Sequence, residues 1–375
     1  MDTLFRFADD LGPDKIVHLY DPQTGLKAIV AIDNVALGTA IGGVRMAPDV
    51  TTEEVFRLAR AMTLKNAVAN LPHGGGKAAI VADPKLPLER KELLMRSFAR
   101  AIAPLQDYIP GPDMGTDEQC MAWVYGEIGR AIGLPAAMGG IPLDEIGATG
   151  YGLAIATEVA TDYCDVELEG ARVVVQGFGS VGQHAAKYLV ARGAVLVGIA
   201  DSGGTLFDPD GIDLEAAIGL KSSGRSIVEL GRGTVMDRDG AIAIECDIWI
   251  PAARPDVVRV DNIDRLKTKL VVQGANIPFT AEAEAICHAQ NILVIPDFIA
   301  NSGGVICGAV EYRGGTQADA FEAIAAEVRA NTAAVLDEAA QTGQLPRHVA
   351  IELARSRIRA KQAQRIPLDG TAIRS

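Results

Sequence analysis

The sequence predicts an α/β protein of two domains. An N-terminal α/β domain is followed by a Rossmann-type, doubly wound domain, and C-terminal helices return to the first. Three observations carry this. At 375 residues the chain is long enough for two cores. Its first third alternates strand-like and helix-like stretches. At residues 177–182 a Gly-x-Gly-x-x-Gly turn stands between an apolar strand pattern and a helix pattern. The expected division is 1–135, 136–330 and 331–375.

In chain order, "LKAIVAI" (26–32) reads as a strand. "TTEEVFRLARAMTLKNAVAN" reads as a helix opened by a capping box, Thr51 as cap and Glu54 three residues on. Val55, Leu58, Ala59 and Met62 form its apolar stripe. Lys65 falls about 80° from the centre of that stripe at ~100° per residue. That place suits a snorkelling lysine and a site cation alike.

"LPHGGGKAAI" (71–80) sets Gly74, Gly75 and Gly76 before Lys77. A phosphate-binding P-loop is excluded, because it needs a hydroxyl after the lysine and Ala78 stands there. A strand ("AAIVAD") and a helix near 88–103 follow, then "DYIPGPDMGTDE". There Asp113 is either a turn former and helix cap or a functional carboxylate. Residues 133–152, rich in Gly and Pro, read as a hinge between domains.

The dinucleotide signal is Gly177-x-Gly179-x-x-Gly182 in its full context. The strand Val173–Val175 precedes it, a helix follows, and a second strand (195–200) ends in Asp201. The first glycine permits a tight turn, the second lets a pyrophosphate approach, and the third lets helix pack on strand. The helix N-terminus, at Ser180 and Val181, supplies N–H groups and dipole. Asp201 is placed for a ribose 2′-hydroxyl, and it is followed by Ser202, Gly203 and Gly204 with no arginine immediately adjacent, which favours NAD over NADP.

With 35 basic and 48 acidic residues the net charge is −13, which excludes a general binder of nucleic acid or anionic membrane. The five cysteines form no C-x-x-C pair, and the histidines show no metal-ligand spacing, so no metal is expected. No leader pattern or 18-residue apolar run is present, so the expected location is the cytoplasm.

Together the segments "GGVRMAPDVTTEEVFRLARAMTLKNAVANLPHGGGKAAI", "PGPDMGTDEQCMAWV", "GATGYGLA", "VVVQGFGSVG", "DIWIPAA", "VVQGAN" and "VIPDFIANSGGV" resemble the glutamate/leucine/phenylalanine/valine dehydrogenase superfamily, over nearly the whole chain. The resemblance implies reversible oxidative deamination of an L-amino acid to its 2-oxo acid and ammonia, acting on a CH–NH2 group with a nicotinamide dinucleotide. It implies a homo-oligomer. It makes Lys77 the catalytic lysine and Asp113 the general acid/base, with the glycines keeping a narrow cleft clear beside Lys77. Lys65 takes the substrate α-carboxylate, and Thr149 the nicotinamide carboxamide. Asn276 and Asn301 line the nicotinamide and substrate cleft, Ala252 joins the cofactor site, and Gly42, Gly43 and Val305 join the substrate site. Arg45 is read as anchoring the turn and His73 as packing behind the glycines. Closure about the hinge would exclude water.

The family's glutamate dehydrogenases place a lysine before the GG-x-R turn and a serine three residues after the GGV element, both for the side-chain carboxylate. Ile41 and Gly308 stand there in this chain. The expected substrate is therefore an apolar amino acid such as leucine, valine or phenylalanine. Gly111 and Gly308 suggest room for a bulky group. Other segments, "ADSGGTLFDPDGID" among them, resemble the glutamate branch more. A glutamate dehydrogenase with an atypical pocket, or a non-catalytic nucleotide-binding regulator, remain as alternatives.

Overall fold

A computed structural model describes residues 5–365. The chain forms two compact units. The first comprises the chain up to Pro142, Gly308–Asp319 and the chain from Ile351; the second comprises Leu143–Cys307 and Ala320–Ala350. The break at Pro142 lies inside the Gly- and Pro-rich stretch, seven residues beyond the expected 135.

In the first unit the elements run β1 (Lys15–Asp21), β2 (Leu26–Asn34), β3 (Ala40–Ala47), α1 (Thr52–Val68), β4 (Gly75–Val81), α2 (Leu88–Ile102), β5 (Tyr108–Pro112) and α3 (Glu118–Ile128). The five strands form one sheet, in the order β1-β2-β4-β3-β5. β3 runs parallel to both β4 and β5, while β2 is antiparallel to β4. From Ala28 to Ile32 β2 is an unbroken apolar run, because both its faces are covered there. Val30 and Ile32 face Met95 and Phe98 of α2 and Met121 of α3, whereas Ile29 and Ala31 face Val55 and Ala59 of α1.

The capping box of α1 forms only by half. Thr51 Oγ1 accepts the Glu54 N–H at 3.1 Å, but the Glu54 carboxylate turns instead to Arg45. The buried face of α1 is Val55, Ala59, Thr63 and Asn66, one step round from the apolar stripe, leaving Leu58, Met62 and Lys65 half-buried.

The second unit runs α4 (Ala148–Thr161), β6 (Arg172–Gln176), α5 (Ser180–Val190), β7 (Val195–Asp201), β8 (Gly204–Phe207), α6 (Leu214–Ser222), β9 (Thr234–Met236), β10 (Ile248–Pro251), β11 (Leu270–Val272), α7 (Ala281–Ala289), β12 (Leu293–Ile295) and α8 (Asp297–Ala300). Its sheet has the order β12-β11-β10-β6-β7-β8-β9, the first five strands parallel and the last two antiparallel additions. The order reverses at β6, so the crevice of a doubly wound sheet opens beyond the C-terminal ends of β6 and β10. Three further helices follow: α9 (Gly303–Tyr312), α10 (Gln317–Thr342) and α11 (Pro346–Arg365).

Of the two long C-terminal helices, only α11 returns to the first unit, from Ile351 onward; α10 belongs from Ala320 to the second. Arg355 and Arg359 pair there with Asp10, and Arg357 donates to the Ala67 and Val68 carbonyls at the end of α1.

Candidate active site

Side chains of a strand alternate between faces. Val44, Met46, Ala78 and Ile80 point to the face packed by α2 and α3. Ile41, Gly43 and Arg45 of β3, Lys77 of β4, and Ile109, Gly111 and Asp113 along β5 and just past it therefore share the other. The register sets Gly43 beside Gly111, with Lys77 between Gly76 and Ala78, which pair with Ile32 and Val30 of β2. α1 covers β2 and β4 on this face and touches β3 little, so the chemistry-bearing residues of β3 and β5 lie along its uncovered part.

Asp113 is no helix cap; α3 is capped by Asp117, which accepts the Cys120 N–H. The two carboxylate oxygens of Asp113 meet two cations instead. Lys77 Nζ lies 2.8 Å from Oδ1, and Arg45 Nε donates to Oδ2 at 2.9 Å. Thr116 Oγ1 accepts the Asp113 N–H and donates to the Val44 carbonyl, fixing the aspartate's backbone to β3. Burial pushes the Lys77 ammonium down, Asp113 pulls it back, and with Arg45 adding a like charge the net shift is below the usual lysine value. Burial raises Asp113, but Lys77 and then Arg45 outweigh it and hold the carboxyl below its ordinary range. The site thus holds an ionised carboxylate in contact with a lysine whose proton is loosened.

Arg45 is the residue that the sequence left as a turn anchor; it also bonds Glu54. Its periodicity on β3 was the available signal, since it shares the face of Lys77. His73 does pack behind the glycines, its Nδ1 against the Thr39 carbonyl and its ring edge-on to Tyr312.

The glycines before Lys77 are bare for a reason other than the expected clear cleft. A β-carbon at Gly74 would lie 1.8 Å from the Asn34 carbonyl oxygen, at Gly75 2.0 Å from the Thr63 nitrogen, and at Gly76 2.9 Å from the Tyr108 ring. Protein fills all three places, and α1 is thereby drawn directly onto β4, with Lys65 half-buried in its last turn. Gly42 and Gly43 are likewise closed, against the Gly76 carbonyl and the Asp113 side chain.

The expected room at Gly111 and Gly308 is also taken. A β-carbon at either would meet the Ile132 side chain at 2.8 Å. Ile132 donates its N–H to Pro110 and packs with Ile41 and Ile109 in a small apolar cluster of its own. Ile132 lies in the turn after α3, and no pattern in the sequence singles it out. The buried Glu311 carboxylate, one turn after Gly308 on α9, accepts the N–H groups of Leu134 and Ile141 at 3.1 and 3.0 Å. It ties the segment bearing Ile132 to the helix bearing Gly308.

In the second unit the Gly-x-Gly-x-x-Gly turn borders a cavity of about 290 Å³, reached also by Asp201, Lys221, Arg238, Ala252 and Arg254. Gly177 has φ +106° and lies against Ala252 and Ala253; Gly182 lies against the Gly177 carbonyl. Nothing comes within 4 Å of a β-carbon at Gly179. α5 begins there without a side-chain cap, so the N–H groups of its first turn have no partner within the helix, and Gly179 and Ser180 beside them are exposed. A diphosphate fits this cradle.

Asp201 ends β7, but its carboxylate is already satisfied. Oδ1 accepts from Gly203 N–H and Ser226 Oγ, and Oδ2 from Lys221 Nζ and Ile227 N–H, at 2.8–3.1 Å. Burial alone would raise it, yet Lys221 and Ser226 hold it below its ordinary range. Asn301 donates to the Gly274 carbonyl and to Asn276 Oδ1, leaving its own Oδ1 buried and unbonded. Thr149, in the first turn of α4, lies against Gly303 and Gly304, and Val305 stands half-buried in the next positions of α9. Among the described residues no cluster suited to a metal ion occurs, and no helix is long and apolar enough to cross a membrane.

A dinucleotide cradle on a Rossmann sheet and a lysine–aspartate pair in the same chain define a nicotinamide-dependent oxidoreductase. The chain belongs to the glutamate/leucine/phenylalanine/valine dehydrogenase family, whose model matches residues 139–365, while that of the family's dimerisation domain matches residues 13–130. It is an amino acid dehydrogenase. Over 296 residues it is 41% identical to the NADP-specific glutamate dehydrogenase of Saccharolobus shibatae, 74% of this chain and 69% of that one. Over 293 residues it is 39% identical to the NAD-specific glutamate dehydrogenase of Staphylococcus aureus, 74% and 70% respectively. Among solved structures, the leucine-bound hetero-hexameric glutamate dehydrogenase of Thermus thermophilus aligns with TM-score 0.84 at 29% identity, covering 95% of this chain and 90% of that one. The L-tryptophan dehydrogenase of Nostoc punctiforme aligns with TM-score 0.75 at 25% identity, covering 96% and 99%.

Proposed function

We propose that this enzyme oxidises an apolar L-amino acid of the leucine, valine or phenylalanine type to its 2-oxo acid and ammonia. The observation that carries the reading is the wall formed by Ile41, Ile109 and Ile132 against Gly111 and Gly308. In the resemblance, Ile41 and Gly308 stand where the glutamate branch anchors a carboxylate, and Ile132 adds methyl groups between them. An ionised side chain there would be desolvated without a partner, at a cost of several kcal/mol. The likeness to a tryptophan dehydrogenase supports the same direction.

A bound nicotinamide would supply the acceptor for the hydride lost from the substrate α-carbon. The chain's own residues do the rest. Lys65 holds the α-carboxylate. Asp113, ionised between Lys77 and Arg45, accepts a proton from the substrate nitrogen and returns it to the departing ammonia. Lys77, with its proton loosened by burial, activates the water that hydrolyses the imine. The turn shaped by Gly177 and Gly182 would take the diphosphate at Gly179 and the start of α5, while Thr149, Asn276 and Asn301 face the nicotinamide end. Because Lys221 neutralises Asp201, NAD is preferred over NADP by a narrow margin only. The working form is a homo-oligomer, a reading supported by the match to a dimerisation domain, and its place is the cytoplasm.

Initial rates of NADH formation with a panel of L-amino acids test the substrate. An apolar amino acid is expected to give a kcat/KM at least about tenfold above L-glutamate, since each 1.36 kcal/mol is tenfold. Glutamate as the best substrate would overturn the reading. That second reading has its own support in the 39–41% identity to glutamate dehydrogenases.

A further inference from the structure

One heavily engaged side chain of the second unit is not among the residues expected at the site. Arg347, in the first turn of α11, donates through Nε and Nη2 to the Glu284 carboxylate at 2.6 and 2.8 Å, and through Nη2 to Gln273 Oε1 at 2.8 Å. Its Nη1 lies 2.9 Å from Asp297 Oδ1, a charge contact without the alignment of a hydrogen bond. Gln273, Glu284 and Asp297 are all buried. One guanidinium thus meets two buried carboxylates, an arrangement whose loss leaves charge without a partner.

Gln273 follows β11 and Asp297 follows β12, so both lie at the C-terminal ends of parallel strands, where a doubly wound sheet binds its ligand. From there the bonds lead on. Gln273 Oε1 also accepts the Asp297 N–H, and Asp297 Oδ2 accepts the Ile277 N–H at 2.8 Å. Ile277 has φ +50°, a left-handed conformation that a β-branched residue adopts only under strain. Its carbonyl accepts the N–H of Asp256, itself left-handed at φ +51°. Next to Ile277, Asn276 receives the Asn301 amide.

We infer that Arg347 is a positioning residue of the dinucleotide site, holding the strained Ile277 turn, and through it Asn276 and Asn301, by way of Asp297 and Gln273. The inference rests on the reading of Asn276 and Asn301 as facing the nicotinamide end. Arg347 touches neither asparagine; it fixes the carboxylate that fixes the turn.

Two variants of the full-length enzyme test this, Arg347→Met and Asp297→Asn; the second keeps shape and an acceptor, and so remains informative where the first fails to fold. NADH binding followed by fluorescence is expected to weaken about tenfold, the scale of one lost orienting hydrogen bond. Arg347→Lys should restore part of the affinity. Loss of folded protein alone would lower apparent kcat and leave the NADH Kd unchanged. Hydrogen exchange at the Ile277 amide should quicken in both variants. That readout needs no cofactor, so it tests the link even where the unmodified chain binds no NADH and the proposed function itself fails. A folded variant with NADH Kd within about twofold of the parent, or with unchanged exchange at Ile277, overturns the proposal.

Discussion

At Gly75 the place of a β-carbon is taken by the Thr63 backbone, 2.0 Å away, while at Gly179 nothing lies within 4 Å. Both glycines belong to glycine-rich stretches at the start of an element: Gly75 opens β4, which carries Lys77, and Gly179 stands immediately before α5. In the first stretch, glycine lets protein approach protein, so that α1 lies flat on the strand that presents Lys77. In the second, Gly177 and Gly182 serve that purpose and Gly179 leaves a space for ligand. A glycine-rich motif therefore does not by itself announce a ligand; the neighbour of the missing side chain decides.

On the proposed function the first stretch serves chemistry and the second binding, and this is where the comparison is most easily broken. Lys77→Ala and Asp113→Asn are each expected to lower kcat by about 10²-fold or more with the NADH Kd unchanged. Near-normal turnover in either variant would remove that residue from the mechanism. Gly75→Ala should destabilise the fold by about 3 kcal/mol, the upper range for overpacking, because the obstructing atoms are backbone. Gly179→Ala should leave stability within about 0.5 kcal/mol, since φ −89° suits alanine, yet weaken NADH binding about tenfold. Denaturant midpoints and fluorescence titrations separate the two; equal stability losses would dissolve the contrast.

A finer test uses pH. Lys77 lies below its usual value, so in the oxidative direction activity should rise with pH along a limb centred below about 10.4. Arg45 contributes to that lowering, so Arg45→Gln should move the limb to higher pH. A limb that stays in place would remove Arg45 from the electrostatics of the site. The smallest effect concerns the cofactor. Lys221→Ala removes the cation bonded to Asp201 and should widen the preference for NAD over NADP a few-fold, about 1 kcal/mol; Asp201→Ser should narrow it. Ratios of kcat/KM for the two cofactors decide.

Much of this was legible in the sequence. The strand–glycine–helix pattern around 177–182, the end of β7 at Asp201 and the start of α1 at Thr51 are local signals, written within a few residues of one another. Asp113 could be read as turn former or carboxylate until the sheet put it opposite Lys77 and Arg45. What stayed hidden is what folding brings from a distance. Ile132 occupies the space that Gly111 and Gly308 appeared to leave, Lys221 cancels a charge twenty residues earlier, and Arg347 reaches Gln273 across 74 residues. A missing side chain marks a gap in the sequence, but the sequence does not say who fills it.

The Glu311 carboxylate separates two things that a change of substrate must treat differently. By gripping Leu134 and Ile141 it holds the backbones on either side of the apolar wall at a set spacing. The wall itself is made of side chains that hold no backbone in place. Exchanges at positions 41 and 132 can therefore be made without disturbing the frame that carries them, whereas a side chain at 308 needs Ile132 to shrink or move first. In such an architecture a lineage can change its diet by point mutation while its overall sequence still speaks of an earlier one.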